Sequence, residues 1–209
     1  MTLTLYTNPM SRGRIARWML EEVGAEYETV VLDYASTMKT EPFLSINPMG
    51  KVPTIVHDGR TVTECAAICA YLAEAFPDAD LAPHPDERAD YYRWLFYAAG
   101  PVEAAITNRS LGVVPTDSQQ RMVGYGSYDI AVDVLEKAVA AHDHIAGARF
   151  TAADVYVGSQ IIWGLQFGSI PDRPTFAAYA DRLKARPAYV RAGALDDALI
   201  PAGVGTEAP

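Results

Sequence analysis

The sequence predicts a small α/β domain followed by a larger all-α domain. Three observations carry that expectation. Strand and helix signals alternate over the first 80 residues in the order βαβαββα. An acidic stretch with three prolines follows at residues 77–85. Beyond it strand signals nearly vanish and helical periodicity takes over.

Residues 2–6 are β-rich, and Asn8-Pro9 interrupts them. Ile15, Trp18, Met19, Glu22 and Val23 then follow a helical rhythm, with Gly24 as the stop. Residues 27–32 are a second strand, and residues 40–44 a short helix ended near Asn47-Pro48. Residues 53–57 and 60–63 are strands joined by Asp58-Gly59, a strong hairpin signal. Residues 64–76 close the domain as a helix. A strand–helix–strand crossover demands a parallel pair and the hairpin adds antiparallel strands, so the sheet should be mixed. Helices are expected at 87–99, 118–142, 151–167, 175–185 and 187–195, with breaks at Gly100-Pro101, Gly147, Pro171 and Arg186-Pro187. The expected boundaries are 1–78 for the α/β domain, 79–86 for a linker, 87–200 for the helical domain and 201–209 for a flexible tail.

Composition narrows the function. The chain has 209 residues, 50% hydrophobic and 21% charged, enough to bury ~70% of its open-chain surface without disulfides or metals. Its net charge of −9 disfavours nucleic acid and anionic membrane surfaces as partners. Two cysteines are too few for a disulfide scaffold. The N-terminus lacks a secretory pattern, and no apolar run approaches a membrane span. A cytoplasmic protein is expected. His57, His84, His142 and His144 have no metal-ligand spacing, and neither a phosphate loop nor a G-x-S-x-G elbow is present. Cys65 and Cys69 are four residues apart and are not a C-x-x-C pair, which argues against disulfide exchange.

Three segments carry a resemblance: Asn47-Pro48-Met49-Gly50-Lys51-Val52-Pro53-Thr54, Thr63-Glu64-Cys65-Ala66-Ala67-Ile68, and Arg149-Phe150-Thr151-Ala152-Ala153-Asp154. In this order and layout the chain resembles the cytosolic glutathione S-transferases, in particular bacterial, serine-type members. The resemblance implies a thioredoxin-like first domain that binds glutathione, a helical bundle, and an electrophile site between them. It implies a homodimer, a small hydrophobic electrophile as second substrate, and no cofactor beyond glutathione as cosubstrate.

It also assigns roles residue by residue. Val52 before Pro53 would pair with the peptide part of glutathione as a strand edge does; read without the family, Pro53 only starts a strand. Glu64-Cys65 at the start of a helix would hold the γ-glutamyl end. Cys65 departs from the family's Ser or Thr, and a thiol donates more weakly than a hydroxyl. Lys51, and more weakly Lys39, would meet the glycyl carboxylate; either could equally be a solvated loop lysine.

The chemistry needs a thiolate. A free thiol has a pKa of ~8.5, and lowering it by about two units takes ~2.7 kcal/mol. One hydroxyl hydrogen bond to an anion supplies ~1.5–3 kcal/mol and a helix N-terminus ~0.3–1 kcal/mol. Ser11, at the start of the first helix, is the preferred donor, and Tyr6 is its rival when the register is counted back from Arg17-Trp18. Asn8 and Arg12 could orient or polarise the sulfur. Met10, Arg93, Trp94, Tyr97 and Trp163 are the candidates for the electrophile pocket. Thr151 to Asp154 has the form of a capping box and is read as structural. A glutathione-fold binding module without catalysis, or a glutathione-dependent isomerase, dehalogenase or peroxidase, are the alternatives.

Overall fold

The computed structural model describes residues 2–200. These fall into two compact units: residues 2–82 with 185–200, and residues 83–184.

The first unit is built on a four-stranded mixed sheet. Its strands are β1 (Leu3–Thr7), β2 (Glu28–Val31), β3 (Thr54–His57) and β4 (Arg60–Thr63), in the order β2-β1-β3-β4. β1 and β2 are parallel, with Tyr6 opposite Val30; β1 and β3 are antiparallel, with Tyr6 opposite Thr54. The mixed sheet expected from the hairpin and the crossover is therefore present. Asp58 and Gly59 turn the β3–β4 hairpin with φ of 47° and 77°, the left-handed pair that a tight two-residue turn requires.

Alternation along β1 separates two layers. Leu3 and Leu5 are buried on one face. Tyr6, with Val30, Ile46 and Val52, packs on a second cluster of Leu32, Met38 and Phe43. The helices of this unit are α1 (Gly13–Val23), the short α2 (Phe43–Ile46) and α3 (Cys65–Ala75). Ile15, Ala16, Met19 and Leu20 bury the inner side of α1, which packs against α3.

The second unit is all-helical: α4 (Arg88–Tyr97), α5 (Glu103–Ser110), α6 (Tyr128–Ala141), α7 (Ala152–Gln166) and α8 (Pro174–Lys184). Two expectations need correction here. Gly100-Pro101 does not break the chain: residues Ala98–Val102 form a π-helical turn joining α4 to α5. Proline removes one N–H and crowds the carbonyl four residues back, and the wider turn accommodates both. The helix expected from residue 118 starts at Tyr128, where the Ser127 hydroxyl caps it by accepting the Ile130 N–H at 3.2 Å. Gly124 and Gly126 separate it from the one short turn at Gln119–Arg121.

The last helix, α9 (Pro187–Asp197), groups with the first unit, whereas the sequence reading ran the helical domain through to residue 200. It lies along α1. Trp18 meets Tyr189 edge to face at 4.9 Å. Ion pairs link Arg186 to Glu22 (2.7 Å), Arg191 to Glu21 (3.1 Å), Arg14 to Asp197 (2.7 Å) and the buried Arg17 to Asp196 (2.8 Å). The expected tail at 201–209 lies outside the described residues.

Candidate active site

The loop from β1 into α1 is held by its own polar groups. Asn8 donates from Nδ2 to the Leu32 carbonyl (2.8 Å) and accepts the Met10 N–H at Oδ1 (2.9 Å). Ser11 is 9% exposed. Its hydroxyl donates to the Asn8 carbonyl (2.7 Å) and accepts the Gly13 N–H (2.9 Å). Ser11 thus holds the N–H of the first residue of α1, at a helix end where unpaired amides concentrate positive potential.

Gly13 is fixed by close approach. A Cβ there would stand 1.9 Å from Thr7 Oγ1 and 2.9 Å from the Ser11 hydroxyl. The start of α1 therefore sits tightly on the end of β1. Thr7 Oγ1 is buried beside it without a hydrogen-bond partner.

The start of α3 reaches the same loop. The Cys65 thiol contacts the Arg12 carbonyl at 3.7 Å, which brings residues 11–12 and 64–65 together. Glu64 precedes α3 with φ 66° and ψ 117° and is exposed. A non-glycine residue held there carries strain of order 1–3 kcal/mol, a feature that clusters at ligand sites.

A third segment completes the constellation. The Val52-Pro53 peptide is cis, and Val52 lies outside the β1–β3 register, which begins at Thr54. Asn47 anchors this loop through hydrogen bonds from Nδ2 to the Lys51 carbonyl (2.9 Å) and to the Thr54 hydroxyl (3.0 Å). Lys39 donates to the Gly50 carbonyl, so Lys39 and the exposed Lys51 flank one loop.

Tyr6 stands differently. Its ring packs on Phe43 at 5.6 Å within the apolar cluster. The candidates for the electrophile pocket divide. Met10 is in the β1–α1 loop. Arg93, Trp94, Tyr97 and Trp163 belong to the second unit. Trp94 is buried, with Arg93 over its face at 4.3 Å and Tyr97 edge-on at 5.6 Å. The Tyr97 hydroxyl donates to the Ala131 carbonyl at 3.1 Å. Trp163 pairs with Phe167 at 6.4 Å.

One residue at this loop escaped the sequence reading. Tyr34, after β2, donates its hydroxyl to the Met10 carbonyl at 3.2 Å. No motif marks it; only the folded path of residues 32–39 brings it there.

Residues 1–74 match the model of the glutathione S-transferase N-terminal domain. The chain is 31% identical to glutathione S-transferase F13 of Arabidopsis thaliana over 91% of its own length and 94% of that protein's. The chain belongs to the glutathione S-transferase family of enzymes. It is also similar to protein LigF of a Sphingobium strain, 28% identical over 90% of this chain and 91% of that one. Among solved structures, a sphingomonad glutathione S-transferase complexed with glutathione matches with a TM-score of 0.75 and 30% identity, covering 93% of this chain and 98% of that one. A glutathione transferase from Methylococcus capsulatus matches at 0.76 and 26%, covering 95% and 100%. These relatives accord with the thioredoxin-like architecture of the first unit. Among the described residues no cluster of three or more metal-ligating side chains occurs, and no helix is long and apolar enough to cross a membrane.

Proposed function

We propose that this family member conjugates the glutathione thiolate to a small hydrophobic electrophile. The observation that carries the reading is the buried Ser11 hydroxyl at the N-terminus of α1, two residues from an enforced Gly13. A sulfur brought there would meet a hydroxyl and a helix N-terminus together, and both favour the anion. Glutathione is a cosubstrate in this reading. Its peptide part would lie along Val52 beside Pro53. Its γ-glutamyl end would lie at Glu64 and the Cys65 N–H, its glycyl end near Lys39 and Lys51, and Arg12 and Asn8 would border the sulfur. Tyr6, held among apolar side chains, is the second choice as sulfur donor. The protein is read as a cytoplasmic homodimer. Met49, Tyr92 and Phe96 are exposed apolar side chains of the kind an interface covers.

Ser11→Ala is expected to lower turnover at neutral pH by about 10- to 100-fold, the worth of one hydroxyl hydrogen bond to an anion. The pKa of the bound thiol should rise with it, read by ultraviolet absorbance of the thiolate. Full turnover in this variant, with loss in Tyr6→Phe, would transfer the role to Tyr6. A binding module remains the rival because Cys65 stands where a hydroxyl is expected. Tight glutathione binding with an unshifted thiol pKa would favour it.

Glu64 permits a second test with opposite signs. Glu64→Gly relieves a strained φ but adds backbone entropy to the unfolded chain, about 0.5–1 kcal/mol. The melting temperature should hold or rise, while glutathione affinity falls about tenfold or more with the loss of the carboxylate. A variant that loses stability and keeps affinity would show Glu64 to be structural.

A further inference from the structure

The segment after β2 is built to carry a phenol to the start of α1. The Leu32 N–H donates to the Thr7 carbonyl at 2.8 Å, and Asn8 Nδ2 returns a bond to the Leu32 carbonyl at 2.8 Å. Asp33 then knots the loop. Its Oδ1 accepts the N–H groups of Ala35 and Ser36 (3.0 Å each) and the Ser36 hydroxyl (2.9 Å). Those bonds hold its carboxyl below the usual carboxylate range. The Asp33 N–H donates to the Thr37 hydroxyl at 2.8 Å, and Met38, 1% exposed, pins the far end in the apolar cluster.

Tyr34 projects from this knot to the Met10 carbonyl, beside the Ser11 hydroxyl. It is 48% exposed, so burial of the ring does not account for its placement. Burial pushes the phenol up, the Ser11 hydroxyl and the Arg12 charge pull it back, and the net direction is upward. The phenol therefore keeps its proton at neutral pH.

We propose that Tyr34 is a positioning residue for thiolate formation, acting through Ser11. The inference rests on the reading of Ser11 as the donor to the sulfur. A serine hydroxyl has one proton and two lone pairs. Here the proton goes to the Asn8 carbonyl and one lone pair takes the Gly13 N–H. An arriving sulfur must win that proton. The Asn8 carbonyl can release it because it also accepts the Ser11 N–H at 3.1 Å. The phenol has one proton, and it goes to the Met10 carbonyl, one residue before Ser11. That bond fixes the loop that presents Ser11 and holds the serine O–H where an arriving sulfur can accept it.

The test compares wild type, Tyr34→Phe, Ser11→Ala and the double variant. Each is titrated with glutathione by thiolate absorbance and assayed with a chlorodinitrobenzene probe. Tyr34→Phe should raise the pKa of the bound thiol by about half a unit to one unit; from a bound value of ~6.5 that leaves roughly 1.5- to 3-fold less thiolate at neutral pH. Its kcat should fall by the same factor, with KM for both substrates within about twofold. In the Ser11→Ala background the added Tyr34→Phe should change nothing. Three results overturn the proposal while leaving Ser11 in place: a Tyr34→Phe enzyme with wild-type thiol titration, a change confined to KM for the probe, or effects that multiply in the double variant. If Ser11→Ala itself leaves the bound thiol unmoved, the reading beneath the proposal fails, and the proposal with it.

Discussion

Asp154→Ala is expected to cost the second unit about 3–5 kcal/mol, a large share of the total stability of a chain this size. Asp154 is fully buried at the start of α7. Its Oδ2 accepts the Thr151 N–H (2.9 Å) and the Thr151 hydroxyl (3.2 Å). Its Oδ1 accepts the Ile145 N–H (2.8 Å) and the Tyr179 hydroxyl (2.7 Å). One carboxylate therefore caps α7, ties down the preceding loop and secures α8. Alanine would leave two buried N–H groups and two buried hydroxyls without an acceptor, each at about 1–3 kcal/mol before relaxation. Burial and the Asp154 charge hold the Tyr179 phenol well above its ordinary value, so it remains a donor throughout the neutral range. Urea unfolding followed by tryptophan fluorescence measures the loss. Tyr179→Phe removes only one of the four bonds and should cost about 1–2 kcal/mol. Equal losses in the two variants would mean that the cap and the loop contribute nothing.

Much of this was legible before the fold was known. Thr151 and Asp154 stand three apart ahead of an apolar run, which is a capping signature in any sequence. Asp58-Gly59 between two β-rich runs specified the hairpin for an equally local reason. The mixed sheet followed from one strand–helix–strand crossover and one hairpin. Local chemistry failed where tertiary contacts decide. Pro101 reads as a break, yet α4 and α5 run through it because a π turn absorbs the missing N–H. Residues 118–127 have helical composition, but Gly126 at φ 67° and the Ser127 cap move the start of α6.

The candidate site divides along the same line. Ser11, Val52, Pro53, Glu64 and Cys65 lie at element boundaries, which turn and cap residues mark in the sequence; the roles expected of them came from the family resemblance. Tyr34 and Thr7 do not. Thr7 falls between the β-rich run and Asn8-Pro9 in the sequence, and its buried hydroxyl gains meaning only from the approach of Gly13. Tyr34 belongs to a loop whose course depends on Asp33 and Met38 acting together. The strained φ of Glu64 is likewise invisible in a one-dimensional pattern, since any N-cap position admits an acidic residue.

The contact between α9 and α1 yields the other large prediction. Arg17 and Asp196 pair at 2.8 Å, with side chains only 3% and 0% exposed. The pair is incompletely satisfied: Arg17 also donates to the Tyr27 hydroxyl (3.1 Å) and Thr29 Oγ1 (3.3 Å), but its Nη2 and Asp196 Oδ2 have no hydrogen-bond partner. Burial pushes the Asp196 carboxyl up, and the attraction of Arg17 does not fully offset it. Asp196→Ala strands a buried guanidinium and should cost about 3–5 kcal/mol. Replacing both partners with apolar residues, Arg17→Met with Asp196→Leu, should recover most of that loss or exceed wild type. The pH dependence fixes the sign independently. A carboxyl whose folded pKa lies above its unfolded value of ~3.9 holds its proton more tightly when folded, so its contribution to stability falls as pH rises through that window. The wild type should therefore gain on the apolar double variant as pH drops from neutral toward 4, the other carboxylates being common to both. A gap that widens in the double variant's favour on acidification would mean that the ion pair, and not the burial of its carboxylate, dominates the joint between α1 and α9.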